Sequence, residues 1–184
     1  MIFGNLIYLS SLNKESIEQL RAWRNNTELR KYFREYREIS KEMQEKWFEN
    51  TIGNRFQVDF EIHDIAEKKL IGHCGLYYIN WVNRTAEFTI YIGDVSFRKK
   101  GCGGDALKTL LNYGFNELNL NRIYCEVFSN NEAIEIYRKI GFKGEGVLKE
   151  HYYCDGKYWD SYILRMLKKE WNLLLYRFYF LFLL

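Results

Sequence analysis

The chain contains no proline, where average usage of about 5% would give roughly nine. With its many Asn, Lys, Ile and Tyr residues, the absence fits a bias in base composition, and no function follows from it. The four cysteines, Cys74, Cys102, Cys125 and Cys154, stand alone, with no pair at metal-ligand spacing. The three histidines, His63, His73 and His151, show no metal spacing either, so no metal is expected. "MIFGNLIYLSSL" is too polar, and its apolar run too short, for a secretory signal, which leaves a reduced cytoplasmic protein as the expectation. Charge of one sign is also lacking. A formal net charge of +3 over 184 residues is too mild and too evenly spread for a nucleic-acid binder, but it is compatible with an anionic cofactor.

What is present describes a folded domain: 47% hydrophobic and 18% aromatic residues exceed what a disordered chain carries. A first strand is read in "MIFGNLIYLSSL". A helix follows in "NKESIEQLRAWRNN", with Asn13 as cap and Ile17, Leu20 and Trp23 on one face. A second helix, "SKEMQEKWFENTIG", has Ser40 as cap, Met43, Trp47 and Phe48 inward and Gly53 at its stop. From Arg55 the period becomes two: Phe56, Val58, Phe60 and Ile62 alternate with Gln57, Asp59 and Glu61, predicting a half-buried strand. With "LIGHCGLYYIN" and "TAEFTIYIG" it forms an antiparallel meander over residues 55–93. Leu107, Leu110, Leu111, Phe115 and Leu118 then trace a helix face. "RIYCEVF" is a strand, "NEAIEIYRKIG" a helix closed by Gly141, and "FKGEGVLKEHYY" and "KYWDSYILRML" are two more strands.

The end of the chain differs in kind: twelve of the last fourteen residues are apolar, interrupted by Asn172 and Arg177. Fourteen residues fall short of the roughly 20 needed to cross a bilayer, so no membrane span is expected. A buried or partner-covered segment, a membrane-surface attachment and an aberrant terminus all remain open readings of it.

The segment "RKKGCGGDALKTLL", residues 98–111, places three glycines and three cations at the mouth of a helix. A helix start leaves backbone N–H groups unpaired and carries partial positive charge, which suits phosphate. Gly101, Gly103 and Gly104 let that backbone approach a ligand closely, and Arg98, Lys99 and Lys100 add charge. A diphosphate fits; plain helix packing is the alternative. Neither a Walker loop nor the dinucleotide G-x-G-x-x-G is present.

"RKKGCG" resembles the R/Q-x-x-G-x-G/A acetyl-CoA signature of the GCN5-related N-acetyltransferases, the GNAT family. "NNEAIEIYRKIGF" resembles that family's N-x-x-A-x-x-x-Y-x-x-x-G-F segment, here Asn130, Ala133, Tyr137, Gly141 and Phe142. The two stand in order, one helix and one strand apart, and the stretch from "RTAEFTIYIG" to "RKIGF" is most similar to the RimL and spermidine-acetyltransferase branch. The resemblance implies an α/β (α+β) fold: a mixed, mostly antiparallel sheet of about seven strands, splayed at its centre and flanked by about four helices. One acetyltransferase domain would span residues 1–167, with 168–184 a hydrophobic extension. Acetyl-CoA would be the co-substrate. Backbone groups of Ile90, Tyr91 and Ile92 would hold its pantetheine arm, amides of Lys99, Lys100, Gly101, Cys102, Gly103 and Gly104 its pyrophosphate with Arg98 adding charge, and Asn130 and Ala133 would stand along the arm. "GDVSFR" is longer than the family's commonest spacing, which leaves open which residue of the turn makes which contact.

Amine attack on a thioester needs a neutral amine and a proton for the departing thiolate. For an alkyl amine of pKa about 10.4, presenting the neutral form at pH 7 costs roughly 4–5 kcal/mol. Glu87 is the candidate base, directly or through water, with a solvated strand-edge carboxylate as the plain alternative. Tyr137 is the candidate acid, since a phenol stays protonated at pH 7; by helix spacing alone it could simply face the core. An acyl-Cys102 route lacks a neighbouring histidine. Trp23, Arg24 and Asn25 are the candidate acceptor-binding group, resembling a "WRN" seen in amino-sugar-nucleotide acetyltransferases, with Arg24 suited to a phosphate or carboxylate. "EYREIS" and Glu61 suit a polyamine instead, and His73 or His151 could line the acceptor pocket. The expected function is acetyl transfer to a primary amine of a small molecule: an amino sugar, an amino-sugar nucleotide or a polyamine. Acetylation of a protein N-terminus, as on a ribosomal protein, and a non-catalytic acetyl-CoA-binding module are the alternatives. The expected assembly is a homodimer.

Overall fold

Two short strands, β1 (Ile2–Phe3) and β2 (Ile7–Ser11), replace the single strand read at the start, because the Gly4 N–H donates to the Ile7 carbonyl at 2.8 Å and turns the chain back. The computed structural model describes residues 1–181, with side chains through Tyr176. Asn13 caps a 3-10 turn over Lys14–Ser16, and α1 (Ile17–Asn25) begins only after it. Asn26 then caps a four-residue α2 (Thr27–Arg30). In α3 (Lys41–Thr51) the Ser40 hydroxyl accepts from the Met43 N–H at 3.2 Å, as the sequence predicts. Its inward face is the predicted one at Phe48, which is buried, and Trp47, which is partly buried, but Met43 is exposed and Gln44 is buried instead. The helix turns a polar side chain inward because a cavity lies beneath it.

Strands β3 (Val58–Asp64), β4 (Leu70–Asn80) and β5 (Thr85–Ile92) form the predicted antiparallel meander. The expectation of a half-buried β3 does not hold, because Asp59 and Glu61 are buried as well. The N-terminal helical layer covers that second face. The Asn13 N–H and the Ser16 hydroxyl donate to Glu61, and Trp47 of α3 stands edge-on to His73 at 5.8 Å.

The chain crosses over through α4 (Cys102–Asn112), which buries Ala106, Leu107, Leu110 and Leu111, to a parallel β6 (Arg122–Phe128). After α5 (Ala133–Ile140), closed by Gly141 at φ 113°, come β7 (Lys143–Cys154), β8 (Lys157–Leu167) and α6 (Lys168–Leu181). The described residues form one mixed sheet in the order β1-β2-β3-β4-β5-β6-β8-β7. Eight strands and six α-helices exceed the expected counts through short additions (β1, α2) and through α6.

The start of the hydrophobic C-terminal segment packs closely: Trp171 is buried, 6.4 Å from Phe115. Glu170 pairs with Arg165, with Lys143 at 2.8 Å and with the Leu167 N–H at 3.1 Å. Leu173 and Tyr176 are exposed, and residues 182–184 of that segment lie outside the described residues. Among the described residues no helix is long and apolar enough to cross a membrane.

The feature that positions the site is the parting of β5 and β6. They pair in parallel only from Thr85–Glu87 against Arg122–Tyr124. Beyond that, β5 continues to Ile92 against β4, and β6 to Phe128 against β8, with no pairing between them.

Candidate active site

The N-terminus of α4 faces the end of β5. Gly101 adopts φ 89°, a left-handed conformation that L side chains rarely tolerate, and no side chain caps the helix behind it. The first-turn N–H groups are therefore open to a ligand. The one carboxylate in that turn, Asp105, faces away, accepting from the Leu6 and Ile7 N–H groups at 2.7 and 3.2 Å. The fold itself does not require glycine at positions 103 and 104. A Cβ on Gly103 would meet only Ile92 at 3.5 Å, and one on Gly104 only Ile136 at 4.0 Å, both ordinary contacts.

The three cations of the turn divide. The Arg98 guanidinium braces the end of β5, donating to the Ile92 and Gly93 carbonyls at 3.0 and 3.2 Å. Lys99 is exposed, 3.8 Å from Glu132, and Lys100 lies over the Phe97 ring at 5.5 Å. The long "GDVSFR" spacing is absorbed by a 3-10 turn over Val95–Phe97. Across the gap, Asn130 Oδ1 is buried without a partner, and the Ala133 N–H is held by Asn131 Oδ1 at 2.9 Å.

On α5 the i, i+3, i+6 series Ile134, Tyr137 and Ile140 faces inward. The Tyr137 ring meets Phe88 edge-on, with centroids 5.1 Å apart, and its hydroxyl makes no hydrogen bond among the described residues. Burial pushes its pKa above the ordinary value, so the phenol stays protonated. Burial likewise raises the Cys102 thiol, with the Asp64 charge adding to the effect, which disfavours a thiolate nucleophile.

A cavity of about 480 Å³ opens at the parting point, between the strands and the N-terminal helices. Glu87 of β5 and Glu126 of β6 face each other there. One nitrogen of Arg34 joins them, 2.5 Å from Glu87 Oε1 and 2.8 Å from Glu126 Oε2. His151 stands 3.5 Å from Glu126 Oε1. The floor carries a buried cluster: Asp59 accepts from His73 at 2.9 Å, from Tyr77 and from Gln57 at 3.1 Å.

Of the predicted acceptor-binding group, Arg24 lines the cavity. Trp23 packs directly on Gly93, and Asn25 uses its amide to hold the Ile39 backbone through two hydrogen bonds of 2.8 and 2.9 Å. Glu35 and His73 line the cavity; Glu61 is spent on Asn13, Ser16 and His63. Sequence reasoning did not find Arg34, Gln44, Asp59 or Glu126. Strand alternation offered one signal for Glu126, which shares a face with Tyr124, the residue paired with Glu87. Among the described residues, no group of three or more His, Cys, Asp or Glu is placed to hold a metal.

A mixed sheet parted between two parallel central strands, beside an uncapped glycine helix start, defines the acetyltransferase class. A family model described as an acetyltransferase (GNAT) domain matches residues 7–143. The chain belongs to the GNAT family and is an N-acetyltransferase, and its relatives fall in the expected branch. It is 33% identical over 162 residues to the spermidine N(1)-acetyltransferase of Escherichia coli K12, covering 83% of this chain and 81% of that one. It is 34% identical over 109 residues, 59% of each chain, to the putative ribosomal N-acetyltransferase YdaF of Bacillus subtilis. The structure of spermidine N-acetyltransferase from Vibrio cholerae in complex with CoA and spermine superposes with a TM-score of 0.84 at 30% identity, covering 91% and 98% of the two chains.

Proposed function

We propose that this enzyme moves an acetyl group from acetyl-CoA directly to a primary amine of a small molecule, with both substrates bound together. The observation that carries the reading is the parting of β5 from β6 between an uncapped glycine helix start and a carboxylate-lined cavity. The residues present fit coenzyme A: side-chain-free space at Gly103 and Gly104, unpaired first-turn amides and the orphaned Asn130 Oδ1. Bound there, acetyl-CoA supplies the acetyl group as a thioester.

The backbone amides of Lys99–Gly104 hold the pyrophosphate, with Lys99 and Lys100 adding charge, while Arg98 fixes the strand end they approach. Backbone groups of Ile90, Tyr91 and Ile92 take the pantetheine arm by strand addition, and Asn130 contacts it beside Ala133. Glu87 takes the amine proton, directly or through water, and Arg34 fixes its orientation. Tyr137 holds, at its phenolic oxygen, the proton that the leaving sulfur receives. Residues 1–167 form the catalytic domain, and 168–184 extend it.

The spermidine N-acetyltransferases among the relatives support a polyamine within this acceptor range. The dodecameric form described for the Vibrio cholerae protein supports a homo-oligomer larger than the dimer expected from sequence. Four free cysteines, three of them buried, support a reducing compartment, the cytoplasm. Thioester consumption against amino sugars, polyamines and N-terminal peptides tests the reading. Turnover confined to peptides would replace it with protein N-terminal acetylation, and coenzyme binding without any turnover would replace it with a binding module.

A further inference from the structure

The charged side chains around the cavity differ in how they are partnered. At the parting point two carboxylates, Glu87 and Glu126, share one cation, Arg34, which leaves one negative charge in excess. The other carboxylates are committed. Glu35 is bound by the Arg37 guanidinium at 2.8 and 2.9 Å, and Asp59 accepts from His73, Tyr77 and Gln57. Arg24 is the exception: half-buried on the cavity wall, it makes no hydrogen bond or ion pair among the described residues and only stacks over Phe33 at 5.4 Å.

A second observation points the same way. Gln44 lines the same cavity, is 2% exposed, and has neither amide atom hydrogen-bonded. A buried primary amide left unpaired costs about 1–3 kcal/mol, and no protein group satisfies this one, so it offers a donor and an acceptor to a group that enters the cavity. Spacing aligns the two elements: Leu20 and Arg24 lie one turn apart on α1, and Gln44 and Trp47 share a face of α3. The Tyr91 hydroxyl, without a hydrogen bond among the described residues, adds a third donor from the strand side.

We propose that Arg24 and Gln44 form a second acceptor subsite that binds an anionic group, a carboxylate or a phosphate, on the same molecule whose amine is acetylated at Glu87. The inference rests on the cavity being the acceptor site, and it narrows the acceptor to a zwitterion. A bare polycation matches the excess negative charge at Glu87 and Glu126 but leaves Arg24 facing like charge. An acceptor with one ammonium and one anion gives both the carboxylate pair and Arg24 a partner.

Matched acceptors test this: 4-aminobutyrate against 1,4-diaminobutane for carboxylate, and glucosamine 6-phosphate against glucosamine for phosphate. With acetyl-CoA saturating, the anionic member of at least one pair should show about tenfold higher kcat/KM, and the pair that shows it identifies the anion. Arg24→Gln should raise KM for that member with little change in kcat and abolish the preference, while Arg24→Lys should restore part of it. Gln44→Leu should raise Tm, because it removes an unsatisfied amide, and still raise KM for the anionic member. A preference for the uncharged or cationic member in both pairs, or equal effects of Arg24→Gln on both members, overturns the subsite and leaves the acetyltransferase reading intact. Turnover of none of the four overturns the subsite, and the wider panel of amino sugars, polyamines and N-terminal peptides then decides the small-acceptor reading separately.

Discussion

The ring of Tyr137 stands perpendicular to that of Phe88, at an interplanar angle of 89°, and Phe88 also lines the proposed acceptor cavity. One aromatic side chain thus separates the proposed proton donor from the space where an amine would bind. The phenol approaches the parting of the sheet from the α5 side, while Glu87, next to Phe88 in sequence, turns to the opposite face. Acid and base therefore lie on two sides of one strand.

Tyr137→Phe should lower kcat by about one to three orders of magnitude while leaving acetyl-CoA affinity little changed. Because burial holds the phenol above its ordinary pKa of 10.0, the protonated donor persists past that value. The pH–rate profile of the wild type should then show no fall from Tyr137 ionisation up to pH 10. Steady-state kinetics and calorimetry decide; unchanged turnover in the variant removes Tyr137 from the acid role.

At Gly103 the fold and the proposed ligand make opposite demands. A Cβ fits the protein, with Ile92 3.5 Å away, and alanine improves helix propensity by roughly 0.5–1 kcal/mol. Gly103→Ala should thus leave Tm equal or higher and still weaken acetyl-CoA binding, and Gly103→Leu should weaken it further. Untouched affinity in both variants would show that the pyrophosphate is held elsewhere.

Replacing Glu87 with glutamine removes the proposed proton acceptor but keeps the shape, and Arg34 retains Glu126 at 2.8 Å. About a 100-fold loss in kcat/KM at neutral pH is expected, shrinking as the solution approaches the amine's own pKa and the base becomes unnecessary. A loss that stays constant across the pH range would assign Glu87 to orientation alone.

Glu170 ties α6 to β7 and β8. Burial alone would raise its pKa, but the Lys143 and Arg165 partners outweigh that and hold it at about 2, below the ordinary 4.5. A depressed carboxylate stabilises the folded state fully above its ordinary pKa. That contribution fades as pH falls from 4.5 towards 2. Glu170→Gln should cost roughly 1.5–3 kcal/mol at neutral pH and little below about pH 2, as read by thermal melts across pH.

The strands from Val58 to Ile92, the crossover helix and the helix closed by Gly141 were legible because each writes its own period, cap or stop into consecutive residues. Gly101, Gly103, Gly104, Asn130 and Tyr137 were legible as a motif. Residues that meet only across elements were not. Arg34 lies in an irregular segment, and nothing near it in sequence says that Glu87 and Glu126 converge on it from strands 39 residues apart. Gln44 carries no such signal, because helical periodicity assigns inward positions to apolar side chains, and a polar one facing a cavity breaks that rule.

The sequence by itself determined the fold family, the order of its elements and the glycine helix start, since local backbone preferences and hydrophobic period act over a few neighbours. Tertiary structure alone decided where β5 leaves β6, which carboxylates share Arg34 and that Arg24 is left without a partner. Those outcomes depend on distances between segments remote along the chain, where charge balance and burial are settled only once the layers have packed.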